Sequence, residues 1–426
     1  MYKGDQCTAI HGLHERFGPI VRVSPNEIDI SDGEALWPIY MDKGGFAKSP
    51  IYRNFDIDGH TSMFSTLSLD ERAPTAKAVL PMFSSASIRS ASQIITRCAE
   101  EMVERLKREA GTGRPVNVLN LTRSYAIDAV TSIVFGRNYG GINEPSSQLS
   151  VSACVDGFVG VGQFLYLHPS LFAIREQIAT FLWPNKKMDD STTHVNKFIS
   201  EVVRDSKDES HTYQGRIAAL GASNQEINAQ CKDVLFAGTD STGNNLATLC
   251  WFLANDAEKY RTLKTEVDNN AVTGAELQSL PYLNGAIKEA LRLSMAISCR
   301  LPRLTPPEGW TYGEYHIPAN TRVGVAAFEL HLNPKVFPSP HEFLPERWLK
   351  ATTEMHRDWL PFGKGARSCI ARNLALQEMF VATECIVKSN ILESAKPVEK
   401  KIEIHEWFNC SVKGEKIELI WPSSVV

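Results

Sequence analysis

The stretch Phe362-Gly363-Lys364-Gly365-Ala366-Arg367-Ser368-Cys369-Ile370-Ala371 decides how the rest of this chain is read. Gly363 and Gly365 permit a tight turn with positive φ, which a residue carrying a Cβ resists. Arg367 places a permanent cation beside the turn. Cys369 stands just before an amphipathic run, Asn373, Leu374, Leu376, Met379 and Phe380, that predicts a helix. A thiol at a helix N-terminus meets the positive end of the dipole and free backbone N–H groups, and both favour the thiolate. Such a sulfur serves as a nucleophile or as a metal ligand.

Working outward, the 426 residues contain 43% hydrophobic and 22% charged side chains, ordinary for a globular protein. A formal net charge of −4 gives no reason to expect nucleic-acid binding. Nine scattered cysteines without CxxC spacing argue against a disulfide framework. Eight of them read as small buried hydrophobes, leaving Cys369 as the exception. No apolar run reaches the roughly 18 residues of a membrane span, and no signal peptide is visible, so the chain as it stands reads as soluble. No Gly/Ser linker or repeat marks a boundary, and one domain is expected over residues 1–426.

Strand-like runs at Ile20–Val23 and Glu27–Ile30, closed by turn residues, follow a short helix. Residues 1–60 and 296–345 therefore carry the β-rich part, while 86–295 and 369–390 read as mainly helical. Ile94, Cys98, Met102 and Leu106 recur at helical spacing, as do Ala126, Val130 and Val134. Residues 141–148 and 205–222 read as polar loops. Ser223-Asn-Gln-Glu226 is a capping box that opens a helix running to about Asn255. Inside it, Ala237-Gly238-Thr239-Asp240-Ser241-Thr242 gathers poor helix formers, which predicts a local opening of the helix. Glu289 and Arg292 share one face of a helix that begins near Pro281; alone they would be a surface pair. The fold class that results is mainly α with minor β.

The cysteine stretch resembles the haem-binding signature of the cytochrome P-450 family, Phe-x-x-Gly-x-Arg-x-Cys-x-Gly/Ala, through Phe362, Gly365, Arg367, Cys369 and Ala371. Three further motifs keep family order. Ala237–Thr242 is similar to the oxygen-activation motif, with Ser241 where the first Thr is usual. Glu289-Ala-Leu-Arg292 resembles Glu-x-x-Arg, completed by Arg347 in Phe343-Leu-Pro-Glu-Arg-Trp348. Arg300-Leu-Pro-Arg303 lies where the family carries a propionate-binding Arg, matched best by Arg303. One motif departs: His or Trp followed by Arg four residues later is here Arg72 and Ala76. Phe17-Gly-Pro-Ile-Val-Arg-Val resembles the opening segment of fungal microsomal members, whose membrane anchor precedes that point and is absent from this chain.

The resemblance implies the cytochrome P-450 fold, with one haem b buried between the oxygen-activation helix and the cysteine-ligand helix. Cys369 would ligate the iron, and its thiolate would favour O–O cleavage. Arg367, Arg303 and Arg72 would meet the haem propionates, with Phe362 and Gly365 shaping the ligating loop. Asp240 with Ser241 or Thr242 would relay protons and hold oxygen or an ordered water. Ala237, Gly238, Ile297, Ser298 and Phe408 would contact substrate, and Glu289, Arg292 and Arg347 would form a structural charge network. The implied activity is monooxygenation of a small apolar molecule, a fungal secondary metabolite, using O2 and an NADPH-dependent cytochrome reductase. The full-length form is expected at the endoplasmic reticulum membrane. Two alternatives use the same residues: oxidative coupling, rearrangement or dehydration without net oxygen insertion, and non-catalytic haem binding.

Overall fold

The computed structural model describes residues 3–146, 148–182, 185–204 and 210–422. Its helices are α1 (Gln6–Phe17), α2 (Leu69–Val79), α3 (Ser85–Ser90), α4 (Ser92–Ala110), α5 (Val118–Val134), α6 (Ser152–Gly160), α7 (Pro169–Leu182) and α8 (Lys186–Arg204). There follow α9 (Tyr213–Ala218), α10 (Asn224–Asn255), α11 (Ala257–Asp268), α12 (Pro281–Ser294), α13 (Ala327–His331), α14 (Thr353–Asp358) and α15 (Arg372–Lys388). The class is mainly α with minor β.

The first two strands, β1 (Ile20–Ser24) and β2 (Glu27–Ile30), pair as the expected antiparallel hairpin, Ile20 opposite Ile30. They join β3 (Ala47–Lys48), β5 (Arg303–Leu304) and β8 (Arg322–Gly324) in a sheet of order β1-β2-β8-β5-β3. The strands β6 (Trp310–Tyr312) and β7 (Tyr315–Ile317) pair with each other, as do β10 (Ile404–Glu406) and β11 (Cys410–Val412), while β4 (Val116–Asn117), β12 (Glu418–Ile420) and β9 (Lys396–Pro397) form a sheet of order β4-β12-β9. Two acids on β2, Glu27 and Asp29, are buried, which is tolerable only because each is paired. Arg300 meets Glu27 at 2.6 Å and Asp29 at 3.3 Å, and His14 meets Asp29 at 3.1 Å. These pairs tie α1 and the segment before β5 to the sheet.

The helical core forms because apolar positions recur at the helical period. Cys98, Met102 and Leu106 of α4 are buried together with Ile95, while Ile94 is half-buried. Nearly every residue of α5 is buried, which places it inside the bundle, packed along α10. The capping box at Ser223 is present: Ser223 Oγ accepts the Glu226 N–H, and Glu226 Oε2 accepts the Ser223 N–H at 2.7 Å. Helix α10 then runs 32 residues to Asn255.

Two expectations fail. The supposed polar loop 205–222 contains α9, because Tyr213 and Ile217 are buried and Thr212 caps the turn by accepting the Gly215 N–H at 3.2 Å. Residues 205–209 of that loop, and Ser147 of the other, lie outside the described residues. The opening predicted within Ala237–Thr242 is also absent, since α10 is helical throughout. Ser241 Oγ donates to the Ala237 carbonyl at 2.8 Å and Thr239 Oγ1 to Leu235 at 2.6 Å. Those hydroxyls bond back to their own helix instead of competing with it. Gly238 serves packing, for a Cβ there would lie 2.9 Å from Val130 Cγ2 on α5.

Candidate active site

The cysteine loop hangs on two left-handed glycines, Gly363 at φ 65° and Gly365 at φ 70°. Gly365 is doubly required: a Cβ there would lie 1.8 Å from the Tyr40 carbonyl oxygen. The turn is closed by the Cys369 N–H donating to the Phe362 carbonyl at 2.8 Å and the Ser368 N–H to Gly365 at 3.0 Å. Phe362 packs edge-on against Trp359, and the Arg372 guanidinium lies over its ring.

Helix α15 starts at Arg372, three residues beyond Cys369, so the sulfur lies just outside the helix. Cys369 is the one exposed cysteine; six are buried, and Cys154 and Cys385 are intermediate. Its thiol is nonetheless surrounded by protein, as in a side chain facing an interior cleft. Burial pushes the thiol up from its ordinary value, against the lowering expected from sequence. The Ala371 N–H and the Arg372 charge act in the expected direction but are outweighed.

Around the loop stand four cations that sequence placed only in part: Arg72, Arg303, Arg367 and Lys48. Arg367 donates to the carbonyls of Thr66, at 2.6 Å, and Leu67; Arg72 donates to Ala366 at 3.2 Å. Arg303 reaches the Tyr52 hydroxyl at 3.4 Å and lies over the Tyr40 ring. Lys48 donates to the Phe64 carbonyl and sits 3.9 Å from the Tyr52 ring centre. Among the described residues none of the four meets a carboxylate at ion-pair distance; they donate instead to backbone carbonyls and a phenol. Burial, then Arg72 and Arg303, lower Arg367 to about 10. Burial, then Arg303 and Arg367, pull Lys48 far below the ordinary lysine range, opposed by Asp233. A half-buried knot of mutually repelling cations is costly unless an anion completes it. A dianionic group seated above Cys369 fits this donor set.

On α10, Ala237 is exposed, and Gly238 and Ser241 are half-buried, in a helix otherwise almost wholly buried. Asp240 turns the other way and pairs with Arg123 of α5, which also meets Asp156 of α6 at 2.9 Å. Burial raises Asp240, and the Arg123 charge opposes that shift. Thr242 bonds Glu378 of α15, a carboxyl that burial raises to about 8. The loop 61–67 links this helix to the cysteine loop. Asp233 accepts from the Phe64 N–H and Ser62, while Arg367 holds the far end of the same loop.

The expected substrate contacts divide. Ile297 is half-buried beside an aromatic cluster of Tyr52, Phe55, Phe64 and Phe408. Phe408 itself is enclosed, its ring 5.3 Å from Phe55 and 5.6 Å from Tyr52. Ser298 is fully buried, and its hydroxyl meets Cys7 Sγ at 3.3 Å. Phe158 of α6 stacks obliquely on Phe236 of α10 at 5.0 Å and extends the cluster.

Glu289 is fully buried and saturated. It accepts from Arg292 at 2.7 and 2.9 Å, from Arg347 at 2.9 Å, from Trp348 Nε1 at 2.9 Å and from the Leu344 N–H at 3.2 Å. Sequence reasoning missed Lys48, Arg123 and Glu378. The last two left a signal, each being a charged residue inside a largely apolar helical run; Lys48, on a two-residue strand, left none.

Residues 2–421 match the protein-family model described as Cytochrome P450. The chain is similar to the cytochrome P450 monooxygenase mfmF of Annulohypoxylon moriforme, 32% identical over 451 residues, covering 99% of this chain and 90% of that protein. It is 26% identical to the cytochrome P450 monooxygenase orf2 of Aspergillus niger, covering 91% and 81%. It is 27% identical to the N-acetyltryptophan 6-hydroxylase ivoC of Emericella nidulans, covering 96% and 86%.

Proposed function

Because the chain belongs to the cytochrome P450 family, we propose that it works as one catalytic domain that inserts an oxygen atom from O2 into an apolar fungal secondary metabolite. The observation that carries this reading is the glycine-shaped Cys369 loop set within four cations that, among the described residues, meet no carboxylate at ion-pair distance. Haem b is the family's cofactor, and it supplies the redox chemistry that activates O2 when bound. Cys369 would ligate it as thiolate, releasing its proton on ligation. Arg303, Arg367 and Arg72 would pair with its propionates, and Lys48 adds a fourth cation to the same side.

Ala237, Gly238 and Ile297 offer an apolar surface, and the aromatic cluster excludes water from it. Ser241 Oγ can exchange its bond to Ala237 for one to an ordered water. Asp240 accepts a proton at Oδ2, the oxygen that Arg123 leaves free, and passes it toward Ser241. Thr242 is committed to Glu378, which favours Ser241 as the delivering hydroxyl. Glu289, Arg292 and Arg347 act structurally.

An electron-donating partner is required, and an NADPH-dependent cytochrome reductase is proposed. Arg372, Lys364 and Lys288 lie close enough on the cysteine-loop side for the Arg372 charge to lower both lysines, after burial. Such a surface suits an acidic protein. Among the described residues no helix is long and apolar enough to cross a membrane. Placement at the endoplasmic reticulum membrane is proposed from the resemblance to microsomal members.

The test is the reduced, carbon-monoxide-bound difference spectrum of the purified protein, repeated with Cys369→Ser. A strongly red-shifted Soret band that vanishes in the variant supports thiolate ligation. Absence of haem, or a band unchanged by the substitution, overturns it.

A further inference from the structure

Away from the active site, two thiols 292 positions apart in the chain meet. Cys7 of α1 and Cys299, beyond the end of α12, are both buried, with their sulfurs 3.5 Å apart. Cys7 Sγ also contacts Ser298 Oγ at 3.3 Å, and Cys299 Sγ donates to the Trp407 carbonyl at 3.1 Å. A third thiol, Cys410 on β11 (Cys410–Val412), is near enough to feel both charges. Its backbone N–H is bonded to Ala296 at 3.0 Å. Among the described residues no group of three or more His, Cys, Asp or Glu side chains could hold a metal ion.

We propose that Cys7 and Cys299 form an oxidisable dithiol, closing to a disulfide that fastens the N-terminal helix to the Ala296–Cys299 segment beside the substrate wall. The sulfurs need approach by only about 1.5 Å to reach bonding distance. The oxidant is hydrogen peroxide, the two-electron reduction product of O2. One thiolate attacks a peroxide oxygen, breaking the O–O bond to give a sulfenic acid and hydroxide. The second thiolate attacks that sulfur, forming S–S and expelling a second hydroxide. With the two thiol protons, the products are one disulfide and two waters.

Cys7 is the first thiol to react. It lies in the opening turn of a helix that begins at Gln6. That turn is held by Thr8 donating its N–H and Oγ1 to the Glu406 carboxylate at 2.7 and 2.6 Å and by the Glu406 N–H donating to the Gly4 carbonyl at 2.8 Å, bonds that must open before the thiol is reached. The hydrogen bond with Cys299, then burial, hold the Cys7 thiol well above its ordinary range in the closed form. Oxidation therefore proceeds through fraying of α1 and is slow at neutral pH. The bond would join residues 292 apart in sequence, and a cross-link over so long a loop restricts the unfolded chain strongly.

The test treats the full haem-loaded chain with hydrogen peroxide and, separately, with diamide, which oxidises dithiols without needing peroxide. Remaining thiols are alkylated and the protein is digested without reduction. A linked peptide containing Cys7 and Cys299, lost on treatment with dithiothreitol, is expected from both oxidants. It should persist in Cys410→Ser and disappear in Cys7→Ser. The oxidised wild type should also unfold at higher Tm than the reduced form, with no such shift in Cys7→Ser. Linkage of Cys299 to Cys410, both thiols remaining alkylatable after either oxidant, or the same Tm shift in Cys7→Ser, would each overturn the proposal.

Discussion

Arg123 and Asp240 join helices α5 and α10 by a buried ion pair, and the same guanidinium holds Asp156 of α6 at 2.9 Å. One cation on α5 thus serves one acid on each of two other helices, and Asp240 is held through Oδ1. Burial opposes the Arg123 charge, but its two acids outweigh that and keep it firmly protonated.

Substitution therefore separates chemistry from support. Asp240→Asn removes the proton carrier yet leaves the Arg123–Asp156 pair in place. Its product yield per electron pair should fall by roughly 10-fold or more, with peroxide rising in exchange. Arg123→Ala strands two buried carboxylates and should cost about 3–5 kcal/mol in urea unfolding. Product and peroxide assays read the first effect, equilibrium denaturation the second. An enzyme that needs no oxygen would leave Asp240→Asn unchanged.

Glu289 predicts a different failure. Its two oxygens neutralise Arg292 and Arg347 and accept the Trp348 indole N–H. Glu289→Ala leaves two cations without their acid, one fully buried, and should destabilise the fold by about 3–5 kcal/mol. Haem per polypeptide in the purified variant should fall in parallel, whereas replacement of the exposed Glu104, paired with Lys107, should change neither.

The two glycines of the cysteine loop make a matched comparison. Both are left-handed, but a Cβ at Gly363 meets nothing nearer than 3.7 Å, whereas one at Gly365 strikes the Tyr40 backbone. Gly363→Ala should cost about 1–2 kcal/mol, the left-handed penalty alone. Gly365→Ala must also displace the Tyr40 turn, whose ring carries Arg303. It should therefore abolish the carbon-monoxide Soret band where Gly363→Ala only weakens it.

These contrasts show which features sequence could carry. The Cys369 loop, the Ser223 capping box and the Glu289 triad were legible because their residues lie close together or follow a fixed order. Arg123 was half-legible: an Arg within an apolar helix demands a partner, but nothing in the sequence says that it is Asp240, 117 positions away. Lys48 was not legible, since a two-residue strand has no period and its burial comes from the Phe64 loop folding over it. The sign of the Cys369 shift was also beyond sequence. Helix-end stabilisation can be read from local order, whereas burial depends on the tertiary enclosure that outweighs it.

His331 sets an acid limit. Its ring is fully buried; Nε2 accepts the Leu360 N–H at 2.9 Å, so Nδ1 carries the proton donated to the Arg292 carbonyl at 3.0 Å. Burial, then the Arg292 charge, depress it to about 3. The unfolded value is about 6.5, so the unfolded chain binds the extra proton first. Stability should be unaffected by this group above about 6.5 and fall by up to about 1.4 kcal/mol per pH unit as pH drops toward about 3. Urea unfolding at pH 7, 6 and 5 should show that slope in the wild type and a flatter one in His331→Gln. Equal slopes would assign the acid limit elsewhere.

Lys48 tests whether the cation knot is an anion site. Lys48 is repelled by Arg303 and Arg367, so removing Lys48 on that ground alone should relieve strain. If the four cations jointly hold the haem propionates, the loss runs the other way, because a charge-assisted contact contributes about 1.5–3 kcal/mol. The expected outcome for Lys48→Met is haem dissociation faster by roughly 10- to 100-fold, measured by transfer to apomyoglobin. Thermal stability of the haem-free protein should stay level or rise, since one unpaired buried charge is gone. Unchanged haem loss with lowered apoprotein stability would mean that Lys48 serves only to pin the Phe64 carbonyl.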